Sequence, residues 1–167
     1  MIKKLVFLFS VVALVAFLFT SCSKTTASSA GCTYTNIDSI APAAESAYIQ
    51  AYLTANGLTA TKAPSGIFYT INSAGSGVTP VVCSLVRVKY TGWLLPSSFK
   101  FAEDNSGTFN TTLGSTILGW QKGLPLIMPG GNITLYIPPS LAYGANPSGI
   151  IPANSYLIFG IQLLAVQ

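Results

Sequence analysis

From residue 86 to the C-terminus, aromatic residues, glycines and prolines recur at short intervals with hardly a charge between them. That punctuation breaks the apolar runs into strand lengths separated by turns. Residues 85–90 alternate apolar positions with Arg87 and Lys89, which suits a half-exposed strand. Residues 132–137 and 156–166 read as two more. So does Ile67-Phe68-Tyr69-Thr70-Ile71, which is β-branched and aromatic and runs into the turn at 72–77. Only 118–127 offers a helix here, and Pro125 keeps it short. Strands around one short helix predict an α+β domain built on an antiparallel sheet, expected over 65–167. Ahead of it, a helical extension is expected over 42–62. Pro42 suits its first turn, Tyr48, Ile49, Tyr52 and Leu53 form an apolar stripe, and Asn56-Gly57 stops the helix proper. The stripe can cover the domain or a second copy of the chain, so a homodimer through this helix stays open.

A chain of 167 residues suits one domain with appendages. It has no histidine, which excludes Ser-His-Asp triads, Cys-His dyads and imidazole acid–base catalysis. The acidic residues are Asp38, Glu45, Glu103 and Asp104. The adjacent pair would face opposite ways on a strand and makes a poor glycosidase dyad. A net charge of +4, two of it from Lys3 and Lys4, is too weak and dispersed for nucleic acid.

Lys3-Lys4, the apolar run 5–19 and Thr20-Ser21-Cys22 have the layout of a secretory signal over 1–21. A cysteine at the cleavage point predicts a lipoprotein, with lipid on Cys22 and a tether over 22–41. An ordinary signal peptide or a single membrane anchor is the alternative. Ser23, rather than aspartate, follows Cys22, which points to an outer membrane and a domain facing the periplasm. Two cysteines then remain, Cys32 and Cys83, and an oxidising compartment favours a disulfide between them over two free thiols. No spacing of ligating residues suggests a metal site.

Tyr90-Thr91-Gly92, Gly119-Trp120 with Gly123-Leu124, Tyr136-Ile137-Pro138, Ala142-Tyr143-Gly144, Gly149-Ile150-Ile151-Pro152 and Leu157-Ile158-Phe159 follow one another in this order. The ordered set resembles the FKBP-type peptidyl-prolyl cis-trans isomerases, over roughly 65–167. The resemblance implies a bent antiparallel sheet, a half-barrel, wrapped over one short helix. It implies Tyr90, Phe101, Trp120, Tyr143 and Phe159 as catalytic residues, with Trp120 the pocket floor and Tyr143 a hydroxyl donor to a peptide carbonyl. Phe109, Ile117, Ile150 and Ile151 would bind substrate, Ile117 through its backbone N–H and Ile151 from an overhanging loop. It implies proline-containing polypeptide clients and no cofactor.

The family usually carries Phe-Asp after the Tyr-Thr-Gly strand. Here either Phe101 is the pocket phenylalanine and Ala102 replaces the aspartate, or Phe99 is and Lys100 replaces it. The first register puts Glu103-Asp104 close enough to substitute in part. Two functions follow: an isomerase that helps exported proteins fold, or a membrane-tethered prolyl-peptide binding or chaperone module with little turnover.

Overall fold

The computed structural model describes residues 31–167. The signal segment 1–21, Cys22 and the Ser/Thr-rich stretch 23–29 lie outside the described residues. The chain folds into an open six-stranded sheet of order β1-β2-β5-β6-β3-β4, with every neighbouring pair antiparallel. The strands are β1 (Thr61–Lys62), β2 (Phe68–Ser73), β3 (Leu85–Leu95), β4 (Lys100–Thr112), β5 (Asn132–Ile137) and β6 (Tyr156–Val166). Among the described residues two α-helices lie on opposite faces: α1 (Ala43–Ala55) and α2 (Leu118–Gly123). This is the α+β, FKBP-like architecture expected from the sequence, with strand 85–90 extended to Leu95 by its pairing with β6.

Alternation along the central strands divides the core. Val86, Val88, Ile133, Leu135, Ile137, Leu157, Phe159, Ile161 and Leu163 point to one face and form a buried cluster with Trp120 and Leu124. Helix α2 lies on this face at unusually close range. A Cβ added to Gly119 would come 2.5 Å from Ile137 Cγ2, and one on Gly123 would come 2.5 Å from Leu135 Cδ1. The two glycines are four apart and share a helix face, so together they let the helix backbone rest on β5. Pro125 follows in a turn of 3-10 helix (Leu124–Leu126), so α2 proper ends at Gly123.

The other sheet face is covered by α1. Ile49 and Leu53 are fully buried against Phe68, Leu95 and Tyr136, with Tyr52, Tyr156 and Ile158 around them. Tyr48 stacks on Tyr156 at 4.2 Å between ring centroids. Burying two such aliphatic side chains contributes about 3–6 kcal/mol before entropy is counted. Ile49 and Leu53 of the stripe are thus covered by the chain's own sheet, while Tyr48 stays 40% exposed.

Within the 42–62 extension the helix ends at Ala55 with Asn56 as its C-cap, at the Asn56-Gly57 stop. Gly57 turns the chain at φ +63°, Leu58 N–H donates back to Leu53, and Thr61 and Lys62 pair with Tyr69 and Phe68. The sheet therefore begins ahead of Ser65, because β2 has a free edge for those residues to fill. Between Gly31 and α1 the chain is tied to the domain. Cys32 and Cys83 form a disulfide with Cα atoms 5.8 Å apart, and Ala41 N–H donates to Ser65 at 2.8 Å.

Candidate active site

Five aromatic rings converge where β3, β4, β6 and α2 meet. Tyr90 is the hub, with centroids 5.2 Å from Phe109, 5.3 Å from Trp120 and 6.3 Å from Phe159. Phe159 in turn lies 5.3 Å from Trp120 and 5.5 Å from Phe101, both at nearly right angles. Edge-to-face contacts of this kind are favourable in themselves, so the rings support one another without a ligand. A cavity of about 270 Å³ opens on it, walled by Tyr90, Phe101, Phe109, Ile117, Trp120 and Tyr143 among others.

The backbone explains why these rings meet. Gly92 pairs with Phe159 and with Ala102 on its two flanking strands. A Cβ there would come within 3 Å of both Phe101 and Phe159, so only glycine lets those rings touch above β3. Strand β4 reaches the cavity twice because it bulges: Val88 pairs with Phe109, yet Tyr90 pairs with Asp104. The intervening residues loop out around Gly107 at φ +73°. Asp104 holds that loop, its Oδ1 accepting from Ser106 N–H at 2.9 Å, Ser106 Oγ at 2.6 Å and Gly107 N–H at 3.1 Å. The bulge re-aims the strand so that Phe101 and Phe109 flank Tyr90 from either side.

The polar groups at the cavity are few. Ile117 stands at the N-cap of α2 with φ −61° and ψ 150°, and its N–H has no acceptor among the described residues. Tyr143 is 37% exposed at the mouth. Trp120 Nε1 is buried with no hydrogen-bond partner among the described residues. Tyr90's hydroxyl is pushed above its ordinary value of 10.0, by burial first, then by the Asp104 charge and by Tyr143. It stays a protonated donor through the neutral range. No charged side chain is among the walls.

Of the residues singled out in the sequence, Tyr90, Phe101, Phe109, Ile117, Trp120, Tyr143 and Phe159 are brought together here. Ile150 and Ile151 are not among the walls. Ile150 is 63% exposed at a loop tip, whereas Ile151 is buried in the main core and anchors that loop through paired bonds with Ser148. Thr111, Ser115 and Thr116 also line the cavity and were not anticipated.

A family model described as FKBP-type peptidyl-prolyl cis-trans isomerase matches residues 77–164. The chain belongs to this family. It is 35% identical over 104 residues to the isomerase FkpA of Aeromonas hydrophila, which covers 62% of this chain and 39% of that protein. It is 40% identical over 107 residues to FkpA of Escherichia coli strain K12, with 62% and 38% covered. The crystal structure of Escherichia coli FkpA superposes with a TM-score of 0.66 at 32% identity, over 75% of this chain and 60% of that one. A peptidyl-prolyl cis-trans isomerase from Pseudomonas syringae gives 0.62 at 29% identity, over 76% and 97%. The chain thus spans about two fifths of the length of the curated relatives it matches.

Against the FKBP pattern, the cavity lining fits one of the two registers better. Phe101 and Ala102 line the cavity while Phe99 is 54% exposed, which fits the register that puts Ala102 at the family's usual aspartate. Neither neighbouring acid is among the cavity walls. Glu103 pairs with Lys100 at 2.7 Å on the surface, and the Lys100 hydrogen bond holds its carboxyl below the usual range. Asp104 is held low chiefly by Ser106 and is committed to the bulge.

Proposed function

We propose that the chain is a peptidyl-prolyl cis-trans isomerase for exported, proline-containing polypeptides. The observation that carries this reading is an aromatic cavity flanked by the Ile117 N–H, which has no acceptor among the described residues, and by Tyr143, with no charge on its walls.

The chemistry needs no more. Rotation about a prolyl amide is opposed by resonance, with a barrier of about 20 kcal/mol. Twisting the bond localises the nitrogen lone pair and makes the carbonyl less polar. A cavity walled by Tyr90, Phe101, Phe109, Trp120 and Phe159 desolvates the planar, more polar amide more heavily than the twisted one. The proline ring would rest on Trp120. The Ile117 N–H and Tyr143 hydroxyl would hold the flanking carbonyls, so that the peptide meets the cavity already turned. No bond forms or breaks and no proton moves, so the lack of a titrating base costs nothing. Each tenfold acceleration needs only about 1.4 kcal/mol of differential binding.

The signal layout over 1–21 and the cysteine at position 22 support export and a lipid anchor on Cys22, with the domain facing the periplasm from an outer membrane. A second reading rests on Ala102: without the aspartate, the cavity would bind prolyl segments as a tethered chaperone module with little turnover. Exchange NMR on a short Xaa-Pro peptide, with the chain from Ser23 onward, separates the two. Interconversion faster than the uncatalysed tens of seconds supports the isomerase. Peptide shifts that map to Trp120 and Phe159 without acceleration support the binding module.

A further inference from the structure

We propose that Tyr34, which lies ahead of the family match, is a positioning residue for the cavity: it holds the loop that presents the Ile117 N–H. The proposal rests on the reading of this cavity as the prolyl site. The loop between β4 and α2 runs through Gly114, Ser115, Thr116 and Ile117, and the last three line the cavity. Gly114 is its fixed point. Its N–H donates to Val82 at 2.7 Å, and its carbonyl accepts from Gln121 Nε2 at 3.1 Å; the same nitrogen reaches Thr116's carbonyl at 2.7 Å.

The remaining side of Gly114 is covered by Tyr34. A Cβ built on Gly114 would clash with Tyr34 Cγ and stand 2.6 Å from its Cβ and 2.7 Å from its Cδ1, so the ring lies directly on the bare Cα. Tyr34 is kept there by its neighbour Cys32, whose disulfide partner Cys83 adjoins the Val82 carbonyl that anchors Gly114. Further along, Asp38 approaches Lys122 of α2 at 3.8 Å, but Asp38 is fully exposed and that pair holds little. Tyr34 itself is 43% exposed and belongs to neither buried cluster. Its ring therefore contributes little to the core, and it packs on Gly114 of the loop. Binding geometry is sensitive to displacements of about an ångström, which is what a released Gly114 would allow the Ile117 N–H.

The test uses the full chain with Tyr34→Ala, Tyr34→Phe and the double change Cys32→Ser/Cys83→Ser. The readouts are amide hydrogen exchange across 114–117, the affinity for an Xaa-Pro tetrapeptide and, where turnover is present, kcat and KM. Tyr34→Ala is expected to speed exchange at Thr116 and Ile117 about tenfold and weaken peptide binding about fivefold, chiefly in KM, with exchange in β5 and β6 unchanged. Tyr34→Phe should restore both, since the contact is made by the ring. The double change should move the same amides in the same direction. Loop exchange and affinity within about twofold of the parent in Tyr34→Ala, failure of phenylalanine to rescue, or equal acceleration in β5 and β6 would each overturn the proposal. A parent chain that binds the peptide without accelerating its rotation defeats the isomerase reading instead, and the exchange and affinity measurements still decide Tyr34's role.

Discussion

Replacing Gly119 with alanine tests the close approach on which the pocket floor depends. In isolation the change should help: alanine is favoured over glycine inside a helix by about 1 kcal/mol. The packing opposes it. The new Cβ would lie 2.5, 2.6 and 2.8 Å from Ile137 Cγ2, Cδ1 and Cγ1, whereas apolar carbons rest at about 3.5–4.0 Å. Ile137 is fully buried and β-branched, so it cannot swing aside. The helix must lift by about an ångström, at the 1–3 kcal/mol typical of an overpacked core. The two terms leave a net loss of up to about 2 kcal/mol, or up to roughly 8 °C in Tm, by thermal and chemical denaturation. Because Trp120 is the next residue, peptide affinity should fall by about tenfold or more as the floor moves. Ile137→Ala on its own costs about 2–5 kcal/mol through the cavity it leaves. Combined with Gly119→Ala it should cost less than the sum by about 1 kcal/mol, since the clash is gone. A stabilised, fully binding Gly119→Ala chain, or an additive cycle, would refute this reasoning.

Ile49→Ala removes a fully buried side chain from beneath α1 and should cost about 2–4 kcal/mol in denaturant, yet leave the KM for a prolyl peptide unchanged, because α1 covers the sheet face opposite the cavity. Reducing the Cys32–Cys83 bond, which spans 51 residues, should lower stability by about 4 kcal/mol on the chain-entropy account, read from denaturation with and without dithiothreitol. Turnover should be flat between pH 5 and 8, because no charged wall residue titrates there; a bell-shaped profile would show a base that the geometry lacks. Stability has an alkaline limit: burial raises the hydroxyls of Tyr90, Tyr136 and Tyr156 above 10.0, so their contribution is complete below that pH and is lost as pH rises through the raised values, followed by phenolate absorbance.

Much of this fold could be read from local pattern, since β5, β6, α1 and the first half of β3 carry their own alternation or stripe. Strand β4 could not. Its Ser, Thr and Asn residues give no apolar rhythm, and it exists only because β3 offers a partner edge and Asp104 closes the bulge. The two residues of β1 are likewise recruited by the edge of β2. At the site, the aromatic residues could be named from their order in the sequence, but the register at Phe101 was open until the cavity lining favoured it. Adjacent isoleucines 150 and 151 look alike in sequence; a two-residue bridge with Ser148 buries one and exposes the other. The contact of Tyr34 with Gly114 joins segments 80 positions apart, and nothing local announces it.

The most direct test of the central claim is the exchange rate of an Xaa-Pro peptide measured with the parent chain and with Tyr143→Phe. The hydroxyl sits at the cavity mouth and its loss leaves the aromatic walls intact. The account predicts clear acceleration by the parent and a fall of about five- to tenfold in kcat/KM for the variant, the worth of one hydrogen bond to a bound peptide. Equal rates for the two chains, or no acceleration by either, would contradict it.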